Sequence, residues 1–181
     1  PPNARYIGVL SRMRQGGPAP TERHRVVAVI SGPEPQRTLL EDLLTEQLQR
    51  VPGEHLMVRG LPKVHEVQRI GNITKVPHLQ ASDLAERLMA SEHIVSRSGY
   101  TTLMDLVTIG RTALLIPTPG QAEQVYLGKL HARTGRFVVQ QQQELDLGAA
   151  LNALQKVPVA PAHEDHGLLD AALSDLAGIL R

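Results

Sequence analysis

Short apolar runs alternate along this chain with longer stretches in which apolar residues recur every three or four positions. Residues 25–30 (Arg-Val-Val-Ala-Val-Ile) are continuous and β-branched, the pattern of a strand buried on both faces of a parallel sheet. A Gly- and Pro-bearing turn over 31–35 follows. Apolar residues at 39, 40, 43, 44 and 48 then predict a helix over 36–50. The same alternation predicts strands at 55–58, within 69–76, and at 93–96, 113–116 and 137–139. Helices are predicted over 82–91, capped by Ser82 or Asp83, over 101–109, over 122–134, over 144–156 and over 168–180. Gly110 and Gly135 mark two helix ends, and Pro117 stops a strand.

Strand and helix alternate throughout, so the expected fold is α/β: a Rossmann-like parallel sheet with helices on both faces, joined by right-handed crossovers. Residues 1–24 read as an interdomain connector and loop, with 6–10 a short apolar run fit for an edge strand or connector. Residues 25–162 read as one ligand-binding domain, and 163–181 as a C-terminal helix whose apolar face covers either a partner domain or its own sheet. The Pro1-Pro2 start reads as a piece of a longer protein.

Composition narrows the chemistry. With 181 residues, 41% hydrophobic and 20% charged, the chain can bury a sizeable core. Aromatic residues are 2%, too few for the stacking platforms that bind single-stranded nucleic acid. The net charge of +1 gives no electrostatic footprint for a duplex. Without cysteine there is no thiolate catalysis and no Cys-based zinc site. No apolar run is long enough to cross a bilayer. His163-Glu164-Asp165-His166 lacks a third ligand and follows a Pro-rich connector, so no metal is expected.

The loops that follow strands carry the candidate chemistry, because ligands of such sheets bind beyond the C-terminal strand ends. Ser31-Gly32-Pro33 lacks the glycine spacing of dinucleotide folds and the Gly-Lys-Ser/Thr of NTPase loops. It can still offer N–H groups and a hydroxyl to a diphosphate, with Arg37 adding charge. Arg97-Ser98-Gly99 opens the next rim helix. There Gly99 permits close approach or positive φ, Thr101 or Thr102 caps, and Asp105 is expected on the first turn, facing the rim. Pro117-Thr118-Pro119-Gly120 is a stiff loop, followed by Gln121, Glu123 and Gln124, which suit vicinal hydroxyls.

Taken together, Arg97-Ser98-Gly99, Thr101-Thr102, Asp105, the strand ending at Pro117 and the residues from Gln121 to Gln124 resemble the C-terminal domain of the family 28 glycosyltransferases. That group includes the bacterial N-acetylglucosaminyltransferase that completes lipid II. The resemblance is strongest over 94–130 and weaker over most of the chain. It implies the C-terminal half of a GT-B fold and an inverting glycosyltransferase that uses a UDP-sugar, with UDP-N-acetylhexosamine as the expected donor and no cofactor. It further implies Ser31, Gly32, Ser98 and Gly99 near the diphosphate, Asp105 on the ribose hydroxyls, Gln124 on the sugar, and the backbone of Leu79 and Gln80 on the uracil edge.

This sequence departs from the family pattern at three places. The acidic position holds Asp where Glu is commoner, Pro33 donates no N–H, and the usual paired Gln is reduced to Gln124 followed by Val125. The catalytic base and acceptor pocket are expected in an N-terminal domain or a partner subunit, so this chain alone is expected to be inactive. Membrane association is expected only through that other part, with the chain in the cytoplasm, at the inner face of the membrane. The alternatives are a non-catalytic donor-binding subunit of a split enzyme and a GT-B-like sugar-nucleotide epimerase.

Overall fold

The chain begins its folded part with β1 (Val26–Val29) and α1 (Gln36–Leu48), then β2 (His55–Val58), β3 (Gln68–Ile70), β4 (Ile73–Val76) and α2 (Ala81–Ala90). It continues through β5 (His93–Ser96), α3 (Tyr100–Thr108), β6 (Leu114–Leu115), α4 (Ala122–Thr134), β7 (Val138–Val139), α5 (Leu147–Leu154) and α6 (Leu168–Ile179). This computed structural model describes residues 6–13, 22–158, 161 and 167–179. The seven strands form one sheet in the order β3-β4-β2-β1-β5-β6-β7.

The strand most uniformly apolar in sequence lies at the centre. β1 is parallel to both neighbours, with Val27 opposite Leu56 of β2 and Ile94 of β5. Val26, Val27 and Ala28 have no exposed surface, as a strand covered on both faces requires. Val26, Ala28 and Ile30 pack on one face against Leu40, Leu44 and Leu48 of α1 and Leu147, Leu151 and Leu154 of α5. On the other face Val27, Leu56 and Ile94 pack against α2, α3 and Leu127 of α4. Helices therefore cover both faces, as the sequence pattern predicts. Of the predicted stripe on α1, Leu40, Leu44 and Leu48 are buried while Leu39 is half exposed. Each fully buried leucine contributes about 1.5–3 kcal/mol by leaving water.

Four local expectations need correction. The sheet is not wholly parallel, because β3 pairs antiparallel with β4 across a turn containing Gly71 at φ 58°. The helix predicted from residue 144 is a 3₁₀ turn at Gln142–Glu144 followed by α5, and the Asp146 side chain accepts from Ala149 N at 2.9 Å to start the true helix. Neither Ser82 nor Asp83 caps α2, which starts one residue earlier behind Gln80. Residues 6–10 form no strand.

The connector residues 6–13 run over the start of α6, where Leu168 lies beside Gly8. Leu169, Leu173 and Leu176 of α6 remain substantially exposed. Residues 163–166, 180 and 181 of the expected C-terminal segment, with the His163 and His166 readings, fall outside the described residues, as do all of residues 14–21 and parts of the 157–162 connector. No helix among the described residues is long and apolar enough to cross a membrane.

A buried ionic cluster ties α1 to the strands beside it. Glu41 receives Arg37 Nη1 at 2.8 Å and Lys75 Nζ at 3.2 Å, and Arg59 Nε stands 2.9 Å away without hydrogen-bond alignment. Burial alone would raise the Glu41 carboxyl, but the contacts from Arg37, Arg59 and Lys75 outweigh it and hold the group below its ordinary range.

Burial also lowers the imidazoles of His24, His55, His93 and His131 from the ordinary value of 6.5. The unfolded chain takes up these protons near 6.5, whereas the folded chain takes them up only at lower pH. Unfolding therefore binds protons below that point, and stability falls as pH drops through 6.5 until the lowered folded values are passed. The urea midpoint is expected to decline from about pH 7 to about pH 5, and His55→Asn should flatten that decline. A midpoint constant over this range would contradict the lowering of these four imidazoles by burial or partial burial.

Candidate functional site

The chain passes from β1 out to β2 and β4, then returns to the opposite side of β1 at β5, so strand order reverses between β1 and β5. Beyond the C-terminal ends of these two strands lies the crevice where open α/β sheets place their ligands. Ser31-Gly32 leaves β1 here, and Arg97-Ser98-Gly99 leaves β5 here. The loop after β6 comes alongside: a Cβ on Gly32 would lie 3.6 Å from Thr118 Oγ1. Sequence-predicted residues from three loops thus meet on one rim. Leu79 and Gln80 stand at the exit of β4, two strands out from β1, with Gln80 exposed at the start of α2 and Leu79 half-buried.

The arginine of this rim does a different job from the one its sequence suggests. Arg97 is 1% exposed, and its guanidinium points into the protein. Nη1 donates to Gln142 Oε1 at 2.8 Å and to the carbonyls of Ile116 and Pro117 at 3.3 and 3.4 Å, and Nη2 donates to Gln36 O at 2.7 Å. Gln142 Nε2 completes the set by donating to Gln36 Oε1 at 3.1 Å. Desolvation lowers the guanidinium to about 10, still charged at neutral pH. Arg97 is a strut joining the exits of β5 and β6 to the first residue of α1 and the 3₁₀ turn, not an arm reaching out of the rim.

Other side chains are likewise committed to shaping the loops. Ser98 is fully buried and donates its hydroxyl to Gln124 O at 2.8 Å, so it reaches the rim only through its backbone. Arg37 is committed to Glu34 at 2.6 Å and Glu41 at 2.8 Å. Gln124 Oε1 accepts from Thr118 N and Thr118 Oγ1, both at 3.0 Å, while its amide donates to Gln121 Oε1 at 2.6 Å. One N–H of Gln124 is left for another acceptor. Gly120 holds φ 82° at the exposed tip of this loop, and Ser31 and Glu123 are exposed beside it.

The backbone at α3 is the part left open. Gly99, not Thr101 or Thr102, is the N-cap, and no side chain caps this helix. No acidic residue stands in its first turn either, because Asp105 falls in the second. The neighbouring rim helices differ. Glu34 Oε2 accepts from Thr38 N at the start of α1, Asp83 lies in the first turn of α2, and Glu123 in that of α4. Gly99 itself has φ −69°, which any residue can adopt, and a Cβ there would meet nothing within 4 Å. Neither backbone strain nor packing calls for glycine at this position.

Asp105 sits beneath the rim. It is 4% exposed and covered by the connector: Ser11 Oγ donates to Oδ1 at 2.6 Å, and Arg12 Nε lies 3.8 Å from Oδ2. Ser11 and Arg12 carry no local motif, and only the fold brings them to a residue 94 positions away in the case of Ser11.

Comparison with known proteins agrees with this geometry. The sequence profile of the Glycosyltransferase family 28 C-terminal domain matches residues 40–175. The UDP-N-acetylglucosamine--N-acetylmuramyl-(pentapeptide) pyrophosphoryl-undecaprenol N-acetylglucosamine transferase of Rhodopseudomonas palustris is 38% identical over 109 residues, which are 54% of this chain and 30% of that protein. The protein of the same name from Methylobacterium radiotolerans is 50% identical over 42 residues, 23% of this chain and 11% of that one. This chain thus spans less than a third of these bacterial relatives. Among solved structures, MurG of Acinetobacter baumannii superposes with a TM-score of 0.62 at 17% identity, covering 88% of this chain and 51% of that one. The glycosyltransferase of kitacinnamycin superposes with a TM-score of 0.56 at 16% identity, covering 92% and 42%. At such identity the likeness is one of fold, that of the C-terminal half of a GT-B glycosyltransferase.

Replacing Arg97 by Met should cost on the order of 3 kcal/mol, since it strands the carbonyls of Gln36 and Ile116 and the Gln142 amide oxygen in the interior. Urea denaturation measures this, and a loss below about 1 kcal/mol would show that the strut is dispensable.

Proposed function

The chain belongs to the glycosyltransferase family 28 C-terminal domain family, and we propose that it is the donor-binding half of an inverting glycosyltransferase that draws on a UDP-sugar, with UDP-N-acetylhexosamine as the expected donor and no cofactor. The observation that carries this reading is the N-terminus of α3. It is uncapped, lacks an acidic first turn, and opens at the strand-order reversal behind a glycine that neither strain nor packing requires. Free N–H groups and the helix dipole favour a diphosphate there, and a missing Cβ lets it come close. The Rhodopseudomonas palustris relative is named for N-acetylglucosamine transfer with UDP-N-acetylglucosamine, which supports the choice of donor.

In the proposed reaction an acceptor hydroxyl oxygen attacks the anomeric carbon. The bond from that carbon to the diphosphate oxygen breaks with inversion, UDP departs, and the hydroxyl proton passes to a base. The charge growing on the diphosphate falls on the N–H groups beyond Gly99 and on the loop of Ser31-Gly32, which are fixed in place before the reaction. The remaining N–H of Gln124 faces the sugar, Asp105 takes a ribose hydroxyl, and the backbone at Leu79 and Gln80 borders the base. The catalytic base and acceptor pocket belong to an N-terminal domain or partner subunit, which also supplies any contact with the inner face of the membrane.

This chain should bind UDP more tightly than ADP in calorimetry and transfer no sugar by itself; failure to bind any nucleotide would overturn the reading. Gly99→Ala should lower the urea midpoint only slightly, by the cost of a poorer N-cap, because its φ and surroundings accept a methyl group, yet weaken UDP by about tenfold or more. Unchanged UDP affinity in that variant would remove the phosphate from α3.

A further inference from the structure

We infer that Ser11, on the connector, is a positioning residue for Asp105 and thereby for recognition of the donor's ribose. This inference rests on the donor-site reading above.

The Ser11 hydroxyl has a single proton, and its direction is determined by its neighbours. Met13 N donates to Ser11 Oγ at 3.0 Å, so the oxygen is an acceptor on that side, and the proton goes to Asp105 Oδ1 at 2.6 Å. A hydroxyl-to-carboxylate bond of that length is charge-assisted and directional. Met13 anchors the arrangement, because it is buried among Leu84, Leu88 and Leu103 of the core and cannot shift without opening that cluster. The carboxylate is therefore held by one oxygen. Among the described residues its other oxygen has only the looser approach of Arg12 Nε at 3.8 Å, beyond hydrogen-bond distance.

Asp105 also borders a small, mostly apolar cavity of about 40 Å³, walled by Met13, Leu84, Leu88 and Ile94 among others, with Arg12, Thr102 and Ser96 as its other polar members. Ser96 is 1% exposed, and its Oγ has no hydrogen-bond partner. A hole of this size admits one hydroxyl-sized group and not a ring. A buried hydroxyl without a partner and a carboxylate with one oxygen uncommitted are together suited to a single incoming hydroxyl that donates to the acid and accepts from the serine. The donor molecule proposed for this rim carries such hydroxyls on its ribose. Aspartate is one methylene shorter than the glutamate commoner at this position, and a fixed rotamer makes its reach reproducible.

The test measures the affinities of UDP, 2′-deoxy-UDP and 3′-deoxy-UDP for the whole chain and for Ser11→Ala, Ser11→Thr and Asp105→Asn, with urea midpoints as a check on folding. The original chain should prefer UDP over one of the two deoxy nucleotides by about tenfold. Ser11→Ala should lose most of that preference while its affinity for that deoxy nucleotide stays the same, and Ser11→Thr, which keeps the hydroxyl, should retain it. Equal weakening of all three nucleotides in Ser11→Ala, an intact preference, or tighter UDP binding would each overturn the role of Ser11. A preference that survives in Asp105→Asn would overturn the ribose reading of Asp105 itself. A preference lost in Asp105→Asn and kept in Ser11→Ala would overturn the Ser11 inference alone.

Discussion

The buried guanidinium of Arg97 is the constraint on which the site depends. It has no carboxylate partner among its contacts. Its charge is held instead by three carbonyls and one amide oxygen, drawn from α1, the exit of β6 and the 3₁₀ turn. Desolvation costs a buried cation heavily unless its donors are satisfied, and here four acceptors from separated parts of the chain must converge on Nη1 and Nη2, while Nε stays without a partner. That requirement fixes the exits of β5 and β6 against the start of α1. The loops carrying Gly32, Gly99 and Gly120 branch from those segments, so their backbones are set before any ligand arrives.

Around that strut the polar side chains divide their work. Ser98, Thr118, Gln121 and Gln124 bond to one another or to backbone and stiffen the rim. Glu34, Arg37, Glu41 and Lys75 lock α1 to the sheet. Backbone N–H groups are left open to a ligand at α3, whose N-terminus has neither a capping side chain nor an acidic first turn. A rim built this way presents main-chain N–H groups and leaves side chains to hold the main chain still, which favours preorganisation over flexible reach.

Much of the fold was legible because local and long-range signals coincided. The β-branched run at 25–30 is the central strand, and Gly135 ends α4 in the left-handed conformation that its identity suggested. The β3–β4 hairpin was hidden in a mixed polar stretch with no period of two. The loops on the rim are legible from their glycines and prolines, since turn chemistry is local. The direction of each side chain is not. Arg97 and Ser98 look like ligand contacts in sequence and turn inward, because their partners at Gln36, Gln124 and Gln142 are placed by the fold. Asp105 looked like a first-turn residue on the rim, and instead lies a turn deeper beneath Ser11. Motif resemblance transfers residue types, and orientation has to come from packing.

The central claim is that a nucleoside diphosphate binds where strand order reverses, on the N-terminus of α3. Titrating the isotopically labelled chain with UDP and following its backbone amides by NMR tests this most directly. The account predicts the largest shifts at residues 31–32, 98–102 and 118–121, with the far edge at His93 and Arg111 unmoved. Shifts centred on that far edge, or none at all at saturating UDP, would contradict it.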